Sequence, residues 1–291
     1  MTLDRLLRAA AARLAAAGVP SPAVDAELLL AHVLRRDLAD LRRARLLGEP
    51  LPDGEHGATA TAYQGLVARR AARVPLQHLT GTAHFAGLDL SVGPGVFVPR
   101  PETEVMVELA LSALEGIERP TVVDLCTGSG AVALALASRR PDSRVGAVEL
   151  SVEAHRYAAA NVRSTGLGVD LRLGPAQESF GDWAGEVHVV TSNPPYIPPG
   201  AVPVDVEVRE HDPELALYGG GEDGLDIPRE VAARAADLLR TGGVLLMEHA
   251  DVQGRTLPAT LMATGDWASV EDHRDLAGLP RVTRAVRAGR P

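Results

Sequence analysis

The chain contains no lysine. Its 29 basic residues are all arginine, and 38 acidic ones bring the formal charge to −9. Binding nucleic acid without regard to sequence requires surplus positive charge to neutralise phosphates, so this balance argues against that class while leaving room for a local basic patch. The excess of arginine, alanine, glycine and proline reads as a genome-wide composition effect. Cysteine occurs once, at Cys126, so an internal disulfide framework is excluded and a reducing, cytoplasmic setting is expected. No apolar run approaches the roughly 20 residues that cross a bilayer. The opening stretch MTLDRLLRAAAARLAAAGVP is rich in alanine and leucine, but Arg5, Arg8 and Arg13 interrupt it at helical spacing. That pattern describes an amphipathic helix and not a secretory segment. The nine histidines show no metal-ligand spacing, and His78 and His84 read as polar loop or hairpin residues.

What is present suffices for a real core, with 46% hydrophobic residues in 291. Residues 1–75 read as a helical N-terminal domain. Leu3, Leu6, Leu7 and Leu14 mark one stripe, closed by Gly18. Ser21 and Pro22 make an N-cap and first-turn pair, followed by Val24, Leu28, Leu29, Val33 and Leu34 on one expected face. Two further helical runs, near 37–47 and 59–73, complete it. Residues 76–100 read as a hairpin, Ala83–Phe85 with Leu88–Val92, followed by a connector punctuated by Gly93, Pro94, Gly95 and Pro99. From 101 to 291 helical and strand patterns alternate, which predicts an α/β domain with a mostly parallel sheet covered on both faces.

Within that domain VVDLCTGSGAVALALA reads as strand, tight loop and helix. Gly128 and Gly130 lack Cβ atoms, so a ligand can approach the backbone and the chain can turn sharply. The helix that follows aims free N–H groups at the same space. Glu149 ends the next strand about 20 residues on, where a carboxylate can accept both hydroxyls of a ribose. A nucleoside-type ligand is expected here. The spacing Gly128-x-Gly130-x-x-Ala133 also satisfies the loose dinucleotide fingerprint, so the loop alone leaves NAD open as that ligand. Cys126 reads as a small buried residue, since nothing near it in sequence offers a base.

A second motif, HVVTSNPPYIPP, leaves another strand. Ligands of open α/β sheets sit beyond the carboxyl ends of the strands, so this segment and the glycine loop should face one crevice. Proline fixes φ, has no N–H, and drives the residue before it to extended geometry, which makes Asn193-Pro194-Pro195-Tyr196 a rigid, extended tetrapeptide. The Asn193 side-chain oxygen and the Pro194 carbonyl supply two acceptors, and Tyr196 supplies a flat wall. Together they suit a planar –NH2 group. An amide nitrogen is a poor nucleophile because resonance delocalises its lone pair. Orientation and acceptors matched to developing positive charge would activate it without a metal or a Ser–His–Asp set.

In this order DLCTGSG, Glu149 and SNPPY resemble the S-adenosylmethionine-dependent methyltransferases of the Rossmann-like class. More narrowly, the chain is similar to the bacterial protein-(glutamine-N5) methyltransferases of class-1 peptide-chain release factors, the PrmC/HemK family. The likeness extends over VPLQHLTGTAHFAGLDLSVGPGVFVPRPETE, EVREHDPELALYGGGEDGLD and GGVLLMEH, most of residues 74–250. The resemblance implies S-adenosyl-L-methionine lying over Cys126, Thr127, Gly128, Ser129 and Gly130, with Glu149 on its ribose and Asn193 near its methyl. It implies that Asn193, Pro194, Pro195 and Tyr196 grip the glutamine of a Gly-Gly-Gln loop, with Asn193, Pro194 and Tyr196 as the catalytic set. Phe97, Arg100 and Glu102 of FVPRPE would lie on the cofactor side. Two departures from the family pattern stand out. Cys126 occupies a position where glycine is usual. Ala176 or Gln177 stands where an acid usually meets the adenine amino group, and only Gln177 has a side chain able to accept a hydrogen bond.

Four alternatives compete with this reading. A glutamine methyltransferase of a ribosomal protein would use the same chemistry. An adenine-N6 DNA methyltransferase would use the same grip but must flip a base from the duplex, and the chain carries neither an added recognition domain nor a basic face for it. A non-catalytic cofactor-binding protein or a dehydrogenase would leave the 193–196 set unexplained. The substrate expected is therefore a release factor, docked through the N-terminal helices, with no membrane and no direct nucleic-acid partner.

Overall fold

Leucine and alanine recurring every three to four residues place Leu3, Leu6, Leu7, Ala10 and Leu14 on one side of α1 (Leu3–Ala16), and all five are buried. The computed structural model describes residues 2–289. It resolves two units: the first runs to Thr82 and regains Pro203–His211, and the second holds Ala83–Val202 and resumes at Asp212.

The first unit is helical: α1, α2 (Pro22–Leu34), α3 (Leu38–Leu46), α4 (Ala58–Ala71), α5 (Leu76–Thr80) and, from the returning segment, α9 (Val206–His211). Its core gathers Leu3, Leu14, Leu29, Leu30, Leu41 and Tyr63, whose hydroxyl donates to the Ala26 carbonyl at 3.0 Å. The α2 face differs from the sequence expectation. Val24 is exposed, while Asp25, Ala26, Leu29 and Leu30 point inward. An ion pair explains the rotation: buried Arg70 of α4 donates to Asp25 at 2.6 Å and to Glu207 of α9 at 2.7 Å. Arg73 also donates to both Glu207 oxygens. Burial opposes ionisation of Glu207, but the hydrogen bonds it accepts, led by that from Arg73, hold its carboxyl well below the usual range. Ser21 does stand at the start of α2, yet its side chain makes no capping bond.

The second unit opens with the hairpin β1 (Thr82–Phe85) and β2 (Leu88–Ser91) and continues as an α/β sheet. Its elements are α6 (Glu104–Ala113), β3 (Thr121–Leu125), α7 (Ala131–Arg139), β4 (Arg144–Glu149), α8 (Val152–Thr165), β5 (Val169–Leu173), β6 (Val187–Ser192), α10 (Asp226–Leu238), β7 (Leu239–Glu248), α11 (Thr256–Met262), β8 (Trp267–Arg274) and β9 (Pro280–Arg287). The seven strands lie in the order β5-β4-β3-β6-β7-β9-β8. The pairs from β5 to β7 are parallel, and β9 is antiparallel to both of its neighbours. Every residue of β3 is buried, Thr121 and Asp124 included, as expected for a central strand covered on both faces. The expected mostly parallel, Rossmann-like sheet is therefore present. Strand β8 gave no sequence signal, because WASVEDHR at a sheet edge is mostly exposed and lacks apolar alternation. No helix among the described residues is long and apolar enough to cross a membrane.

Candidate active site

From β3 the chain proceeds to β4 and β5 on one side, whereas β6 and β7 lie on the other. Strand order thus reverses between β3 and β6, and a ligand crevice is expected there. The register pairs Leu125 with Val148 and with Ser192. The loop 126–130 and the segment 193–196 therefore leave adjacent parallel strands at the same level.

The loop turns through left-handed backbone at Cys126 (φ 64°), Gly128 (φ 58°) and Gly130 (φ 83°). The two glycines serve different ends. A Cβ on Gly128 would meet nothing within 4 Å, so that face is open to a ligand. A Cβ on Gly130 would lie 3.4 Å from Leu134 and 3.6 Å from Ala158, so this glycine lets the loop pack down on α7 and α8. Ser129 and Thr127 are buried beneath. Cys126 costs backbone strain that glycine would avoid. Its thiol is pushed up to about 12, first by burial and then by the charge of Glu149, so it is no nucleophile at neutral pH.

Glu149 ends β4 beside this loop. One carboxylate oxygen accepts from Gly128 N–H and the other from Ser151 N–H, each at 2.8 Å. Burial raises its pKa while these backbone donors pull the other way. A carboxylate has about four acceptor positions, so two are left for hydroxyl groups.

Two residues without a role in the sequence reading hold the loop in place. Asp124, fully inside β3, accepts from the hydroxyls of Thr127 and Thr191, both at 2.6 Å, and so ties the loop to the end of strand β6. Asn161 of α8 donates to the Ser129 carbonyl at 2.9 Å and pairs in both directions with the Ser91 backbone, joining loop to hairpin. Burial lifts Asp124 from the ordinary 3.8 to about 6, against its hydrogen bonds from Thr127 and Thr191. The folded value lies above the unfolded one, so the fold favours the protonated form. The stability this contributes is complete below about 4 and is lost as pH rises through about 6. Asp124→Asn, permanently neutral, is therefore expected to gain on the wild type in urea-unfolding stability as pH rises across that window. A difference that stays constant with pH contradicts this.

In the 193–196 segment Pro194 and Pro195 are buried, and Asn193 and Tyr196 are half-buried. No donor among the described residues hydrogen-bonds to the Pro194 carbonyl. The segment is braced from behind. Ile197 N–H donates to Leu217 at 2.8 Å, Gly219 N–H donates to Ile197 at 3.0 Å, and the Gln253 carboxamide donates to the Tyr196 carbonyl at 2.9 Å. A Cβ on Gly219 would overlap the carbonyl oxygens of Gly224 and Pro195, and one on Gly224 would overlap that of Tyr196. The glycines of YGGGEDG thus let two backbones touch, a purpose invisible in the sequence alone.

Glu248, the last residue of β7, is almost wholly buried beside the tetrapeptide. Its carboxylate accepts from the Thr103 hydroxyl at 2.7 Å and from the Tyr196 hydroxyl at 3.5 Å. Burial pushes the Glu248 pKa up to about 6, leaving it ionised at neutral pH. Burial, and then the charge of Glu248, raise Tyr196 well above the usual phenol range, so its hydroxyl stays protonated.

Arg100 lies 5.1 Å from the centre of the Phe97 ring and donates to buried Asp212 at 2.8 Å. Glu102 is exposed in the turn that opens α6. Gln177 lies in a short turn after β5, where its nitrogen donates to Glu230 of α10 at 2.5 Å and its oxygen stays available as an acceptor.

Comparison with known proteins brings two family models onto the chain: the PrmC N-terminal domain over residues 5–81 and the methyltransferase small domain over residues 87–209. A release factor glutamine methyltransferase of Streptomyces coelicolor is 50% identical over 279 residues, covering 95% of both chains. A 4-amino-L-phenylalanine/4-methylamino-L-phenylalanine methyltransferase of Streptomyces pristinaespiralis is 40% identical over 274 residues, covering 92% of this chain and 89% of that one. Among solved structures, the Thermus thermophilus 16S rRNA N2 G1207 methyltransferase RsmC, in complex with AdoMet and guanosine, superposes with a TM-score of 0.52 at 21% identity. It covers 71% of this chain and 49% of that one, a likeness of fold alone.

Proposed function

The chain belongs to the PrmC family of release factor glutamine methyltransferases, and from that premise we propose that Asn193–Tyr196 grip the glutamine side chain on which it acts. The protein transfers a methyl group from S-adenosylmethionine to a release-factor glutamine. The finer reading is that the acceptor is the side-chain N5 of the glutamine in a Gly-Gly-Gln loop.

The observation that carries the site assignment is the register of Leu125 with Ser192, which sets a nucleoside-type loop beside an acceptor-rich, rigid tetrapeptide. The residues present suit S-adenosylmethionine: an open face at Gly128, the loop 126–130 ahead of α7, and Glu149 with acceptor positions to spare for ribose hydroxyls. When bound, that cofactor supplies an electrophilic methyl group. Asn193 Oδ1 and the Pro194 carbonyl accept the two N–H bonds of the substrate carboxamide and fix the direction of its nitrogen. Tyr196 packs on the planar group. These acceptors become stronger partners as positive charge develops on nitrogen, which is where catalysis gains over mere binding. Phe97, Arg100 and Glu102 border the cofactor side, and the Gln177 oxygen is the candidate acceptor for the adenine amino group. The first unit, matched by the PrmC N-terminal model, docks the release factor in the cytoplasm.

Mass spectrometry after incubation with a release factor and S-adenosylmethionine tests this reading. One added methyl group on the Gly-Gly-Gln glutamine is expected. A methyl group found elsewhere, or only on 4-amino-L-phenylalanine offered in parallel, overturns it.

A further inference from the structure

We propose that Asn161 of α8 is a positioning residue for the cofactor loop and makes the β1–β2 hairpin part of the cofactor-binding machinery, so that binding S-adenosylmethionine orders the hairpin. The inference rests on the reading that residues 126–130 hold the cofactor. It assigns what holds that loop from the helix side and what its occupation moves.

A loop built on glycine is free to turn, and that freedom is given up each time a ligand binds. Ser129 stands between Gly128 (φ 58°) and Gly130 (φ 83°), both in left-handed backbone. The peptide joining Ser129 to Gly130 is fixed at both of its polar atoms. Gly130 N–H donates to the Thr127 carbonyl at 2.9 Å. The Ser129 carbonyl accepts from Asn161 Nδ2, also at 2.9 Å. The first bond travels with the loop, whereas the second ties this peptide to α8. Ala158, three positions earlier on α8, lies 3.6 Å from where a Gly130 Cβ would stand, so helix and loop are packed closely here.

Asn161 also holds the end of β2. Its Oδ1 accepts from Ser91 N–H at 2.7 Å, and its Nδ2 donates to the Ser91 carbonyl at 3.1 Å. These partners leave no ambiguity about which end of the carboxamide is which, because an N–H only donates and a carbonyl only accepts. Asn161 is 1% exposed. A carboxamide buried so deeply is costly unless it is satisfied, and an apolar side chain would serve if filling space were its whole task. Instead its bonds reach Ser129 and Ser91, which lie 32 and 70 positions away along the chain. The hairpin needs such an anchor. Each of its strands has four residues, and a two-stranded hairpin is marginal by itself. Phe85 and Leu90 bury one face of it, while His84, Asp89 and Ser91 stand exposed. One carboxamide thus serves loop and hairpin together. A ligand that stills the Ser129 carbonyl holds Asn161, and with it the Ser91 backbone, and the coupling is reciprocal.

Amide hydrogen exchange with and without S-adenosylmethionine tests this, together with calorimetric titration of the cofactor. In the wild type, saturating cofactor is expected to slow exchange at 127–130 and, in the same titration, at Ser91 and along the hairpin. In Asn161→Ala the loop amides should still gain protection while the hairpin no longer responds. Affinity for S-adenosylmethionine should fall about 10- to 100-fold, within the range found for linked sites. The kcat for a whole release factor at saturating cofactor should fall less. Asn161→Asp, above neutral pH, keeps the acceptor for Ser91 N–H but sets a carboxylate oxygen against two carbonyls. It should lose at least as much affinity as Asn161→Ala, whereas a role in packing alone would make this isosteric change the milder one. Protection at 127–130 with none at the hairpin in the wild type, unchanged affinity in Asn161→Ala, or wild-type affinity in Asn161→Asp overturns the proposal. The wild-type measurement decides even if a variant fails to fold. Cofactor binding that leaves 127–130 unprotected brings down the reading of the loop, and the proposal with it, and is distinct from a response confined to the loop.

Discussion

Asn193→Ala is expected to lower methyl transfer about 10²- to 10³-fold, the loss that follows removal of one pre-aimed electrostatic partner from an active site. The rest of the site should survive the change. The backbone of the tetrapeptide is set by Pro194 and Pro195 and by the bonds of Ile197 and Gly219 to the strand-like segment behind it, none of which uses the Asn193 side chain. The loop 126–130 is pinned separately by Asp124, Glu149 and Asn161. Cofactor affinity should therefore change little while kcat collapses, the pattern of an interaction made in the transition state. Steady-state kinetics with a release factor, paired with calorimetric titration of S-adenosylmethionine, separates the two quantities. A variant with unaltered kcat, or one that has lost its cofactor first, contradicts the assignment.

Arg70→Ala is expected to destabilise the first unit by about 3–5 kcal/mol, the cost of leaving a buried charge without its partner. The Arg70 side chain is 7% exposed, and those of Asp25 and Glu207 are each 9% exposed. Glu207 would keep Arg73. Asp25 would be left with an unpaired carboxylate facing Leu29, Leu30 and their neighbours in the core. Urea unfolding followed by circular dichroism should show the helical unit melting earlier, with residues 206–211 losing hydrogen-exchange protection alongside α2. An unchanged midpoint means that the cluster is tolerated, not required. Asp25→Asn with Arg70 intact is the control, since it leaves the arginine paired with Glu207.

Much of the second unit was legible because its signals are local. The short, β-branched TVVDL, bounded by a proline and a glycine loop, reads as a buried strand, and Gly128 and Gly130 announce a turn because few other residues adopt left-handed backbone cheaply. The stiffness of Asn193–Tyr196 follows from the proline ring alone. Family membership was legible for the same reason, being carried by short motifs in a fixed order. Other features left no local trace. Val24 was expected on the inward face of α2, yet it is exposed and Asp25 is buried instead, paired with an arginine 45 residues away. Strand β8 is held by pairing with β9 and not by its own pattern.

Taken by itself, the sequence determined most of the elements, though not β8, and the identity of the groups that can accept, cradle or stiffen. Tertiary structure alone decided which of them act together. Thr103 reaches Glu248 across 145 positions, Asp124 reaches Thr191 across 67, and residues 203–211 return to a helical unit that the chain left long before. Local dihedral preference and hydrophobic period are properties of a few neighbouring residues. The direction in which a buried carboxylate or carboxamide points is set by whichever partners packing brings within reach, and no short stretch of sequence encodes that sum.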